Sequence, residues 1–177
     1  GKDLYDQYPV AKALIEQADK ALGESLSAVM FEGPGDELTR TCNCQPALYV
    51  HGLACLAVLK ELVPSLNPVA AAGLSLGEFT AHAAAGTYSF EEGLRLVQKR
   101  GAFMEEACNA TKGTMAAMIG GTDENVIKLA QECDVDVANF NCPGQTVVSG
   151  TEEGVAKAVA GAKAAGCKIA KKLNVAG

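Results

Sequence analysis

The residues Gly73-Leu74-Ser75-Leu76-Gly77-Glu78 set a serine between two glycines, with a short apolar run before them and an alanine-rich segment after. Pro68-Val69-Ala70-Ala71-Ala72 has the length and character of a buried parallel strand, and Phe79 to Ala85 reads as a helix stopped by Gly86. A chain passing from strand to helix over so few residues needs a sharp turn, and glycines let neighbouring backbone pass close. Such a strand–turn–helix is a frame of α/β folds, and the turn lifts the serine hydroxyl to where a substrate can reach it. Because the serine begins a helix, backbone N–H groups point at any oxyanion formed beside it. A serine that merely caps the helix is the plainer reading; the strand before and helix after favour a nucleophile.

Only some functions suit the whole chain. With 177 residues it can bury one good core or two small ones, and 49% hydrophobic with 20% charged residues is the composition of a folded globular protein. A net charge of −6 without a basic tract argues against a nucleic-acid partner. No apolar stretch is expected to reach the length of a membrane span, and the start Gly1-Lys2-Asp3-Leu4 is not a signal peptide. The seven cysteines include no C-x-x-C pair, and Cys42-Asn43-Cys44 has no second pair to complete a zinc site, so no metal is expected. Their odd number and scatter favour a reduced, cytoplasmic protein.

Two regions follow from the punctuation. Residues 1–112 read as a helix from Tyr8-Pro9 to Leu22, an irregular stretch Phe31 to Asp36, a buried helix from about Gln45-Pro46 to Val63, the serine turn, and a helix from Phe90 to about Ala107. Ser89-Phe90-Glu91-Glu92 has the spacing of a capping box for the last of these. Residues 113–177 alternate as strand Thr114–Ile119, helix Asp123–Cys133, strand Val135–Phe140, a Cys142-Pro143-Gly144 turn, strand Gln145–Ser149, helix to Ala165 and strand Cys167–Leu173. That βαββαβ order is the order of a ferredoxin-like unit.

On the Phe90 helix, Phe90, Leu94, Val97, Gly101 and Met104 form one apolar stripe, extended by Leu96 and Phe103. Arg100 falls inside that stripe. A guanidinium keeps its charge, so one held there must face an anion. Either a buried acid elsewhere in the protein or the carboxylate of a substrate would serve, and periodicity leaves both open. A nucleophilic serine also needs a base. His82 lies about two helical turns beyond Ser75, roughly 10 Å along the axis and out of reach. His51 falls in the buried helix, where a satisfied core histidine is the simpler assignment.

Four ordered motifs carry a resemblance: Gln45-Pro46-Ala47, Gly73 to Glu78, Arg100-Gly101 with Phe103-Met104, and Asn139-Phe140-Asn141-Cys142-Pro143-Gly144-Gln145. Together they resemble the malonyl-CoA:acyl carrier protein transacylases over essentially the whole chain. The resemblance implies an α/β-hydrolase-like large subdomain, partial here, with an inserted ferredoxin-like subdomain. It implies Ser75 as the acyl-carrying nucleophile, the Leu76 amide as an oxyanion donor, Arg100 as partner of the malonyl carboxylate, and Asn141 near the pocket. Malonyl-CoA would be the substrate, acyl carrier protein the partner, and no cofactor would be permanently bound. Fatty-acid synthesis is the implied setting.

Three departures qualify it. Leu74 stands where the family usually has histidine, the family's Gly-Gln-Gly oxyanion turn would precede Gly1, and its catalytic histidine would follow Gly177. The chain is therefore expected to be the middle of the family's domain, and inactive by itself. Lysines Lys163, Lys168, Lys171 and Lys172 are candidates for a carrier-protein patch, or simply a solvated face. A serine hydrolase or thioesterase with the same elbow is the alternative enzyme, and a non-catalytic fragment that binds carrier protein is the alternative outside enzymes.

Overall fold

The computed structural model describes residues 1–173, so the last four residues of the expected 113–177 region lie outside it. It is α/β with one small antiparallel sheet, and the chain divides into two compact units, Gly1–Glu105 and the remainder from Glu106. The division falls within a helix, ahead of the compositional shift after Asn109.

The first unit is helical. Helices α1 (Lys2–Gln7), α2 (Pro9–Leu22), α3 (Leu26–Glu32) and α4 (Gly35–Thr39) precede a long α5 (Thr41–Leu62), then α6 (Leu76–Ala84) and α7 (Phe90–Ala110). Pro9 opens α2 and Gly23, at φ 72, closes it, the pairing of residues expected at helix ends. The stretch expected to be irregular from Phe31 to Asp36 holds instead the end of α3 and the start of α4. Helix α5 begins earlier than Gln45-Pro46 because the Arg40 carbonyl accepts from the amides of both Asn43 and Cys44, closing a turn ahead of the proline.

Ala47, Tyr49, Val50 and Leu53 of α5 meet Ile15 and Ala18 of α2, Leu26 of α3, Leu76 of α6, and Leu94 and Val97 of α7 in the main core. The remaining apolar residues of α5 are not all inside, since Leu48 and Leu59 are exposed. By length and composition α5 could cross a membrane, so the expectation that no stretch approaches that size is corrected. Of its most apolar 18-residue window, 44% is buried.

The apolar run at Pro68–Ala72 is not a strand. It carries no ladder and is exposed throughout, with Val69 fully open. A parallel strand exists only beside a partner, and the first unit holds no other strand among its described residues.

In the second unit β1 (Thr114–Ile119), α8 (Asp123–Glu132), β2 (Asp136–Cys142), β3 (Gln145–Gly150), α9 (Glu152–Gly161) and β4 (Ile169–Lys172) build a sheet of order β2-β3-β1-β4, every pair antiparallel. The alternation of β1 turns Thr114, Ala116 and Met118 inward. Ala116 and Met118 join Val148 and the helix residues Val126, Leu129, Val155 and Ala158 in one core. Thr122 and Thr151 cap the two helices with their side-chain oxygens, accepting from Asn125 and Gly154. The final helix stops short of Ala165 and the last strand is shorter than Cys167–Leu173.

Candidate active site

Ser75 sits immediately before α6 with φ 55 and ψ −110, a backbone state that side-chain-bearing residues rarely adopt. Two neighbours hold it there. A Cβ on Gly73 would lie 2.0 Å from the carbonyl of Gly77, so only glycine fits at the first position. At Gly77 an added Cβ would meet nothing, so the second glycine is not required by crowding of its own, against the sequence expectation. Leu76 anchors the turn by burying its side chain in the core beneath.

The amides of Gly77 and Glu78 are taken by the carbonyls of Leu74 and Ser75, while the Leu76 N–H has no hydrogen-bond partner among the described residues. That free donor, adjacent to an exposed hydroxyl at a helix start, is the local condition for stabilising an oxyanion.

Helix α7 delivers Arg100. Its capping box forms as the spacing predicts: Ser89 N–H donates to Glu92 at 2.9 Å, and Glu92 N–H donates to Ser89 Oγ at 3.3 Å. Leu94, Val97 and Gly101 are buried, but Met104 of the expected stripe is exposed, and so are Leu96 and Phe103, which do not extend it, because the neighbours covering α7 span a narrower face. Gly101 lets α7 approach α5 closely, since a Cβ there would lie 2.8 Å from the Thr41 carbonyl.

Arg100 is half-buried, and no ion pair among the described residues involves it. Of the two anions left open by periodicity, the internal acid is thus not seen. One guanidinium nitrogen, Nη2, donates to Ser75 Oγ at 2.9 Å; the other, Nη1, donates to Gln45 Oε1. The guanidinium also faces the Phe79 ring at 5.6 Å, and Phe79 is tied down by Tyr88, whose hydroxyl donates to its carbonyl at 2.7 Å.

Gln45 was not singled out from sequence as a site residue. Its sequence signals are its place in the Gln45-Pro46-Ala47 motif and its polarity near a helix start, neither of which assigns it a role, and it proves to be 6% exposed. Its amide nitrogen donates to the Met104 sulfur at 3.1 Å.

Neither histidine turns to Ser75. His82 is exposed with Nδ1 against Thr87 Oγ1 at 3.2 Å, and His51 is half-buried with its ring beside the Cys55 sulfur at 3.8 Å, so His51 is not the core histidine expected. All seven cysteines are free. Burial first, and then the Glu105 carboxylate, push the Cys42 thiol up from its ordinary value, which keeps it protonated and a poor nucleophile. Glu105 is in turn held low by Cys42 and then by Arg40, whose guanidinium lies 2.7 Å away.

Asn141 belongs to the second unit. It lies on β2 where the register against β3 shifts between Phe140 and Cys142, is exposed, and donates to Gln145 Oε1 at 3.2 Å. Such irregularities re-aim side chains.

Known proteins bear on this geometry. A family profile described as the acyl transferase domain matches residues 1–177. The chain is 44% identical to the malonyl CoA-acyl carrier protein transacylase of Bacillus subtilis, over 100% of this chain and 57% of that relative. An acyl carrier protein S-malonyltransferase from Vibrio cholerae superposes with a TM-score of 0.90 at 36% identity, over 99% of this chain and 58% of that one. A solved complex of a type II PKS acyl-carrier protein with its malonyl-transacylase gives a TM-score of 0.92 at 37% identity, with the same coverage of 99% and 58%. The chain thus spans a little over half the length of the curated relatives it matches.

Proposed function

Since the chain belongs to the acyl transferase domain family, we propose that it carries the nucleophile and the acyl-selecting cation of a malonyl-CoA:acyl carrier protein transacylase acting in the cytoplasm. Ser75 Oγ attacks the thioester carbonyl of malonyl-CoA, forming an oxygen–carbon bond. The carbon–sulfur bond breaks, CoA leaves as its thiol, and a malonyl-serine ester remains. The phosphopantetheine thiol of acyl carrier protein then attacks that ester, and Ser75 regains its proton. The Leu76 amide donates to the oxyanion in both halves. No resident cofactor is needed.

The base that takes the serine proton is neither of the two histidines, whose ring nitrogens are turned to Thr87 and toward Cys55. Arg100 supplies selectivity. In the acyl-enzyme the free carboxylate is one methylene from the ester carbon, which keeps it within reach of a guanidinium that already touches Oγ. The observation that carries this reading is the 2.9 Å contact between Arg100 Nη2 and Ser75 Oγ, made by a cation with no ion pair among the described residues. A general hydrolase or thioesterase has no use for such a cation.

The finer fold reading is part of the same proposal. The antiparallel β2-β3-β1-β4 order with two crossing helices supports a ferredoxin-like unit, and the glycine-hinged Ser75 turn supports an α/β-hydrolase-like large subdomain. Asn141 is assigned to the pocket by the resemblance alone. Exposed Lys163, Lys168 and Lys171 are proposed to meet the acidic carrier protein, with Lys172 already 3.7 Å from Glu152.

Mass spectrometry of the complete gene product after exposure to malonyl-CoA tests the first half-reaction: the adduct should sit on Ser75 and vanish in Ser75→Ala. Arg100→Ala should cut malonyl over acetyl discrimination in kcat/KM by about a hundredfold or more. Equal hydrolysis of both thioesters, indifferent to Arg100→Ala, would refute the transferase.

A further inference from the structure

The two hydrogen bonds of Gln45 settle which way its amide faces. Arg100 can only donate and the thioether of Met104 can only accept, so the amide oxygen must face the guanidinium and the amide nitrogen the sulfur. Swapping the two ends would set donor against donor and leave the buried oxygen against sulfur. Gln45 is 6% exposed on α5, one turn beyond the Thr41–Cys42 backbone that Gly101 of α7 approaches, while Met104 itself is 40% exposed.

The identity of this acceptor matters. A carboxylate here would hold Arg100 equally well but would cancel its charge. An amide oxygen holds the same guanidinium and leaves the charge whole. Of the five N–H donors of Arg100, one is spent on Gln45 and one on Ser75. The other three have no partner among the described residues.

We propose that Gln45, keyed by Met104, is the positioning residue that presents Arg100 as an uncompensated cation beside Ser75, and that its neutrality lets the site prefer an acyl group with a free carboxylate. This rests on the acyl-transfer reading above. Met104 acts through Gln45, and Gln45 through Arg100; neither is required to touch substrate.

The test compares kcat/KM for malonyl-CoA and acetyl-CoA in the complete gene product and in Gln45→Glu, Gln45→Leu, Met104→Leu and Arg100→Ala. In Gln45→Glu the fall for malonyl-CoA should exceed the fall for acetyl-CoA by about tenfold, mainly through KM, as expected when a ground-state ion contact is lost. Gln45→Leu, which keeps neutrality but removes the acceptor, should give a smaller loss of the same ratio, seen more in kcat as the fork wanders. Met104→Leu, close in volume, should shift the ratio by only about twofold to threefold. If both Gln45 variants reduce the two substrates equally, Gln45 is structural and the proposal fails, while a collapse of the ratio in Arg100→Ala would leave the acyl-transfer reading standing. If Arg100→Ala also leaves the ratio intact, that reading falls as well.

Discussion

In the second unit every strand has a neighbour, and the apolar residues of β1 alternate inward onto α8 and α9. In the first, helices bury one another well, yet the most strand-like apolar run, at 68–72, lies open beside the turn that holds Ser75. Residues near in sequence complete the sheet of one unit. The other carries a segment whose pattern asks for a ladder that its own described residues do not offer. Apolar character predicts burial only when the geometry that would bury it is also encoded, and for a parallel strand that geometry is never local.

Amide exchange separates the two regions most sharply. The amides of residues 69–72 should exchange near the rate of open chain, while those of Ala116, Ala117 and Met118, paired between β3 and β4, should be slower on the order of a thousandfold or more. Comparable protection at both places would break the contrast. Next in size is the core of the second unit. Met118→Ala removes a fully buried side chain and should cost about 2–5 kcal/mol, read from the urea midpoint of far-UV dichroism. A loss under about 1 kcal/mol would mean the sheet core is looser than its burial implies.

The helical unit offers the converse substitution. A Cβ on Gly93 would lie 2.1 Å from the Tyr49 hydroxyl, so Gly93→Ala should overpack and cost about 1–3 kcal/mol. All four tyrosines lie in the first unit, so their fluorescence reports that change. The smallest effect concerns the α7 cap. Hydrogen bonds from the Ser89 side chain and backbone hold the Glu92 carboxyl below its ordinary value of 4.5. The folded state therefore gains from its ionisation above that value, and the gain is lost as pH falls through the lower folded pKa. Helicity lost between neutral pH and about pH 3 should accordingly shrink in Glu92→Gln, which has no proton to gain.

What could be read from sequence divides along the same line. The second unit's elements were legible because turn residues punctuate a regular alternation: Thr122 and Thr151 cap, Gly144 and Gly166 take positive φ, and β1 keeps a period of two. The Ser89–Glu92 cap and Gly23 were legible for the same local reason. Arg100 stood out because a charge interrupted a stripe. Gln45 did not, because a lone amide in an apolar helix looks like any tolerated polar residue until its partners on α7 are known. The 68–72 run misled because its pattern was right and its partner was not local. Leu96 and Phe103 misled because periodicity gives the centre of a buried stripe but not its width.

The left-handed backbone at Ser75 has a consequence for how durable this protein can be. Holding a residue with a side chain in that state costs about 1–3 kcal/mol, and glycine there would relieve most of it. Ser75→Gly should therefore melt higher than the natural chain while losing its only group capable of carrying an ester at this turn. Heat tolerance and chemistry pull in opposite directions at a single peptide unit, and the molecule keeps the tension.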